Sequence, residues 1–360
     1  MTGTDDSQTI LSNGGSSRIV FFDYLRVFAV FLICVLHTAS FGWYGAAVKS
    51  VNFAILNAYK ALTCHAVLLF VMISGALFLG RDIPVKKLYG KYILRLLVAF
   101  LFWSFVFAIV SNYKWGVLSV LEVTVSSHYH LWFIPMMIGL YVAQPILKLF
   151  ARKEALLRYF LVLSAVFTII LPFAVNLLHS FGEKTMRLYA GFVSDRISDM
   201  HMQIVFGYSF FFMMGWFLSR HELCRKLRMI IYICGALSFI FSFLLTLFHS
   251  IRVGAPMNLF HENFSLFVCI EVLSTFVFFK HAPKKPLKTD GFIRRLSKYS
   301  FGVFLIHPLL IEFFLNRFPF LIGETMALWT VPLIGLTVFA LSMGLSALIN
   351  LIPFVNKYIV

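Results

Sequence analysis

The sequence predicts an all-α, polytopic membrane protein with about ten transmembrane helices. Three observations carry that prediction. Hydrophobic residues fill 60% of the 360 positions and charged residues only 13%, whereas a water-soluble domain is about 45–50% apolar and about 25% charged. A protein of this size exposes too much surface to hide the excess in a core; a lipid-facing surface accepts it. The apolar residues also fall into runs of the roughly 20 residues that a spanning helix needs. Finally, the basic residues concentrate in alternate loops between those runs.

Ten runs qualify, at about 19–41, 58–79, 92–110, 131–148, 158–178, 203–219, 229–248, 259–279, 299–316 and 327–350. The second carries Lys60 and His65 near its start, and the fourth contains Pro135 and Pro145, which favour a kink. The polar stretch 179–202 reads as a short surface helix or loop. Residues 1–17, rich in Ser, Thr and Gly, read as a disordered cytoplasmic tail, and 18–360 as one transmembrane domain. The first apolar run is too long for a cleavable signal peptide, and no small-residue cleavage site follows it.

With the N-terminus inside, 21 of the 31 Lys and Arg fall in cytoplasmic segments and 8 on the opposite side. That asymmetry follows the positive-inside rule and puts both termini in the cytoplasm, in a bacterial inner membrane. It also accounts for the net charge of +16. Anionic lipid headgroups are then the expected partner of the basic loops, and nucleic acid is not. The five cysteines have neither metal-ligand spacing nor the pattern of a disulfide framework.

The chemistry begins in the first helix, which contains Asp23, Arg26 and His37. Ionisable groups inside a membrane are costly and point to function. Arg26 and His37 are eleven residues apart, so they share a helix face, separated by about 16 Å along the axis. Asp23 is placed to pair with Arg26. Arg26 otherwise serves as an interfacial anchor that snorkels, and His37 as a packing residue. Glu271 and Glu312 are carboxylates in apolar surroundings that must be paired or protonated. His65, His179, His201, His249 and His261 read as interface or outer-loop residues.

The pattern D-x-L-R-x₁₀-H in this helix resembles the acyltransferase-3 family of integral membrane acyltransferases. Further segments fit the family in order: LFVMISGALFLGRD at 69–82, KYILRLLVAFLFW at 91–103, HYHLWFIPMMIGLYVAQPIL at 128–147, FGYSFFFMMGWFLSR at 206–220 and KYSFGVFLIHPLLIEFF at 298–314. Within that family the chain resembles the branch that includes the enterobacterial common antigen O-acetyltransferase. Two features depart from the family: Leu68 stands near a position often occupied by proline, and the third helix carries only Lys91 and Arg95 where more arginine is usual.

The resemblance implies transfer of an acetyl group, or a succinyl group, from acyl-CoA to a hydroxyl of a cell-surface or lipid-linked glycan. Acyl-CoA would be a donor that binds and leaves, with no permanently held cofactor and no metal. His37 would serve as general base, with Arg26 and Ser74 as donors to an oxyanion and His307 as a further catalytic candidate. Arg81, Lys86, Lys87, Lys91 and Arg95 would meet the phosphates of coenzyme A, and Ser74 belongs to that donor region. His130 and Trp132 read either as an aromatic-belt anchor or as an acceptor platform. Ser74 and Gly75 have the alternative reading of close helix packing. Direct transfer and a covalent acyl-histidine both remain open. The rival reading is a polysaccharide exporter, which also needs polar groups within helices but has no use for a basic loop facing a phosphorylated donor.

Reporter fusions after residue 85, 153, 223 or 288 should give a cytoplasmic signal, and fusions near 116, 190 or 255 a periplasmic one. A periplasmic signal at 85 would remove the basis for donor binding by that loop.

Overall fold

The computed structural model describes residues 20–112, 117–282, 290–323 and 326–360. The expected tail at 1–17 lies outside these residues, as do Lys114, Lys284, Lys285 and Lys288. Among the described residues the chain forms helices and no strands. The first crossing is α1 (Val20–Trp43), and the second joins α2 (Val51–Thr63) to α3 (Ala66–Phe78). A single turn, α4 (Val85–Lys87), leads through a π-helical segment at Leu88–Ile93 into α5 (Leu94–Asn112). Next come α6 (Val117–Ser126) and α7 (Phe133–Arg152), then α8 (Glu154–Ala165) and α9 (Leu171–Phe181). The stretch around 179–202 forms α10 (Lys184–Asp199), mostly exposed. The rest is α11 (Met202–Arg220), α12 (Arg225–Val253), α13 (Leu266–His281), α14 (Asp290–Arg317), α15 (Ala327–Ile349) and α16 (Pro353–Tyr358).

Nine crossings among the described residues are long and apolar enough to span a bilayer. The tenth expected run, 203–219, is α11, in which Gly207 leaves helical geometry (φ −41°, ψ −114°) and breaks the rod. The second expected run begins several residues earlier than its apolar pattern, at Val51. Ser50 causes this: its side chain accepts the Phe53 N–H and caps α2. Pro135 falls in the first turn of α7, where no N–H partner is needed, and Pro145 is contained within the helix.

Helix α1 lies at the centre, touching α2, α3, α13, α14 and α15. Its buried residues run from Phe22 to Trp43 around the helix, as expected of an element enclosed by others rather than by lipid. The closest pair is α3 and α11. A Cβ on Gly75 would stand 1.7 Å from the Phe212 carbonyl oxygen, and one on Gly215 would stand 2.0 Å from that of Met72. The two backbones therefore touch, as small residues permit in membrane helices, where dispersion replaces hydrophobic driving force. Gly75 is a packing residue, while its neighbour Ser74 turns the other way.

Gly215→Ala should destabilise the detergent-solubilised protein by about 1–3 kcal/mol or more, because backbone cannot move aside for the methyl. Gly139→Ala on α7 meets open space and should leave the thermal unfolding midpoint within error. Equal midpoints for both variants would disprove the close contact of α3 and α11.

Candidate active site

Two polar clusters lie on one face of α1. The first is built around His37 and His307. Their ring centroids are 5.1 Å apart; His37 is half-buried and His307 fully buried. Nδ1 of His307 lies 3.1 Å from the Val303 carbonyl oxygen, one turn back on α14. A carbonyl only accepts, so Nδ1 carries the proton and Nε2 keeps its lone pair. That Nε2 is buried and has no hydrogen-bond partner. The following residue, Pro308, has no N–H, which loosens the local helix ladder beside the ring.

His130 joins the cluster with its ring centroid 5.6 Å from that of His307. It is reached through a tight reversal after α6. Ser127 adopts φ 62°, a left-handed conformation that costs a non-glycine residue about 1–2 kcal/mol. This turn feeds a 3₁₀ segment, Tyr129–Trp132. Nδ1 of His130 is 2.8 Å from Nδ1 of His128, and Nε2 of His128 is 2.9 Å from Oε1 of Glu312. The His128 ring stacks on Phe107, centroids 4.1 Å apart. With the imidazoles neutral and Glu312 ionised, one proton order satisfies both contacts. Glu312 accepts from Nε2–H of His128, whose Nδ1 accepts from Nδ1–H of His130, and Nε2 of His130 is left as a buried acceptor without a partner.

From the sequence alone, Glu312 is a structural or acceptor-specific carboxylate and His128 carries no role. Glu312 had a usable signal, since a carboxylate in an apolar helix requires a partner, five residues after His307. His128 sat in the same tripeptide as His130. Trp132, by contrast, does not join His130. Side chains two apart in a 3₁₀ turn point in different directions, and the Trp132 ring lies against Tyr208 at 5.6 Å. Among the described residues, no three His, Cys, Asp or Glu side chains are arranged to hold a metal ion.

The second cluster surrounds Arg26, about 16 Å along α1 from His37. Arg26 Nη1 lies 3.4 Å from Oδ1 of Asp23, and the same carboxylate accepts from Ser297 Oγ on α14 at 2.7 Å. Tyr141 on α7 interacts with Ser74 and feels the charges of Arg26 and Arg95; its ring stacks on Phe78 at 4.3 Å. Ser74, Arg26 and Arg95 are thus gathered around one phenol. Arg95 also donates to the Val360 carbonyl at 2.5 Å, so it points inward, away from the lysines near it in sequence. Arg81, Lys86, Lys87 and Lys91 are exposed at the same end. Beside them, Lys148 first and Arg152 second hold Asp82 below the usual carboxylate range.

A cavity of about 560 Å³ between α7, α8 and α11, next to the break at Gly207, contains none of these histidines and is lined mainly by apolar side chains such as Leu140 and Phe160. Searches of curated proteins and of solved structures both find no match. The family model described as an acyltransferase domain matches residues 19–351 and so takes in both clusters and every helix from α1 to α15. The chain belongs to the acyltransferase-3 family.

Proposed function

We propose that the protein is an O-acyltransferase of the bacterial inner membrane, with both termini cytoplasmic. In this reading it moves an acetyl group, with succinyl as the alternative, from acyl-CoA to a hydroxyl of a cell-surface or lipid-linked glycan. The observation that carries this is the histidine cluster, which holds base-competent imidazoles at one end of α1 while Arg26 and the basic loop occupy the other. A sugar hydroxyl is a poor nucleophile at neutral pH and needs a positioned base, and histidine titrates in the right range.

His37, the least enclosed of the three facing rings, takes the hydroxyl proton as the oxygen attacks the thioester carbonyl carbon. His307, with only its Nε2 lone pair available, accepts a hydrogen bond from one N–H of His37 and so turns the other nitrogen of His37 toward the hydroxyl. The carbonyl electrons move onto oxygen and return as the C–S bond breaks. The departing thiolate recovers the proton from His37. Glu312, through His128, orients His130 beside this pair. At the far end Arg81, Lys86, Lys87 and Lys91 meet the donor's phosphates, and Arg26 and Ser74 with Tyr141 grip the arm leading to the thioester. The 16 Å between Arg26 and His37 suits a long flexible donor better than a single oxyanion held by both.

His37→Ala should lower acyl transfer by on the order of 10²–10⁴-fold with membrane insertion intact. Arg26→Lys keeps the charge but loses the planar fork, and should abolish acylation while total glycan reaching the surface stays normal. Both are read by mass analysis of surface glycan from cells carrying each variant. Glycan retained inside the cell, with acylation of the exported remainder intact, would favour export over catalysis.

Glu312→Gln keeps the shape but removes the carboxylate that fixes the His128 tautomer. It should cost about 10- to 100-fold in transfer, the range for a hydrogen bond to a charged group, with the donor's KM unchanged. An effect on KM alone would place Glu312 in binding rather than in orienting the rings.

A further inference from the structure

Lys60 is used by neither cluster. It sits on α2 with 5% of its surface exposed, and its Nζ has no hydrogen-bond acceptor. Instead the ammonium stands 3.5 Å over the ring of Trp43 and 4.6 Å from that of Tyr44. Trp43 is itself fully buried, stacked on Phe53 at 5.4 Å, so its ring is a fixed floor beneath the charge. Two more buried polar atoms nearby lack partners: Nε1 of Trp43 and Nδ1 of His261, whose ring centroids are 6.4 Å apart. His261 ends a short 3₁₀ turn in the connection between α12 and α13 and is buried, with Nε2 3.3 Å from Thr246 Oγ1.

A buried ammonium with no acceptor is costly, and cation–π contact offsets only part of the cost. Indole N–H and ammonium can only donate, so the place is rich in donors. The second ring beside the ammonium, that of Tyr44, is 63% exposed. The place also adjoins the proposed catalytic base: Trp43 follows His37 by six residues on α1, about 9 Å, and Lys60 is within electrostatic reach of both His37 and His261. Glu262, which is exposed, feels the charge of Lys60 without accepting a hydrogen bond from it.

Resting on the acyltransferase reading above, we infer that Lys60, Trp43 and Tyr44 form an acceptor subsite for an anionic saccharide, whose negative group takes the Lys60 ammonium while a sugar ring lies on Tyr44. The anion is a sugar carboxylate or a phosphate of the sugar linkage. Either brings acceptor oxygens to a place that holds donors, and an exposed aromatic face is a suitable surface for a pyranose. The subsite lies at the opposite end of α1 from the basic loop, so acceptor and donor would approach His37 from different sides.

The test uses the full chain purified in detergent and titrated with methyl glucuronide, glucose 1-phosphate and methyl glucoside, with binding read by tryptophan fluorescence. At least one anionic sugar should bind about tenfold more tightly than the neutral glucoside. Preference for the glucuronide alone identifies a carboxylate, and for the phosphate alone a phosphate. Lys60→Met should erase the preference, Lys60→Arg should retain it, Glu262→Gln should increase it, and Tyr44→Ala should weaken all three sugars alike. An anionic preference that survives Lys60→Met, equal binding of all three sugars by the wild type, or no saturable binding of any would overturn the subsite. His37→Ala separates the two readings. It should leave these affinities unchanged while removing transfer from acetyl-CoA. In the wild type, equal binding of the three sugars with transfer intact sinks only the subsite, and an anionic preference without any transfer from acetyl-CoA sinks only the reaction.

Discussion

The packing of α1 against α14 governs the polar interior of this protein. In a bilayer, water cannot satisfy a stray polar group, so each one must find a partner within the protein or line a wet cavity. Two contacts between these helices meet that demand at opposite ends: Ser297 donates to Asp23 at one, and the rings of His307 and His37 face each other at the other. Asp23 in turn steadies Arg26. With α1 also packed against α2, α3 and α15, much of its polar face meets protein: Asp23 is buried and Arg26 and His37 are partly so. The remaining elements shape what reaches that face.

The histidine cluster shows how an apolar site can hold several imidazoles without a network of charge. Each visible hydrogen bond runs outward, to the Val303 carbonyl or to the Glu312 carboxylate through His128. The inward nitrogens of His307 and His130 keep their lone pairs. Orientation is thus supplied from behind, by backbone and by an ionisable group at the margin, where Glu312 is only part-buried. The left-handed Ser127 belongs to the same arrangement. Local strain is tolerated where surrounding structure over-determines it, and such places cluster at functional sites.

Much of this was legible from the chain. A strictly local property, apolar run length, yielded the crossings, because lipid leaves a helix no other way to satisfy its backbone. The shared face of Arg26 and His37 follows from helical periodicity alone. The dual reading of Ser74 and Gly75 was also partly resolvable: Gly75 turned out to serve packing, and Ser74 faces Tyr141. His130 and Trp132 share a 3₁₀ turn but face different neighbours, His307 and Tyr208, which their spacing in sequence does not show. The break at Gly207 and the π-helical segment at Leu88–Ile93 carried no distinct local signal, since both arise from how neighbouring helices pack.

By itself, then, the sequence determined that this is a helical membrane protein with ionisable groups along one face of its first helix, since hydropathy and helical repeat are properties of neighbours along the chain. Only the tertiary structure decided which distant groups those residues meet. Glu312 is paired with His128 across the bundle, Arg95 is turned inward to Val360, and Lys60 is left over Trp43 with no acceptor. The physical reason is that partnership across a bundle depends on the rotation of each helix about its axis. That rotation is set by side-chain packing summed over the whole interface, and no window of sequence contains it.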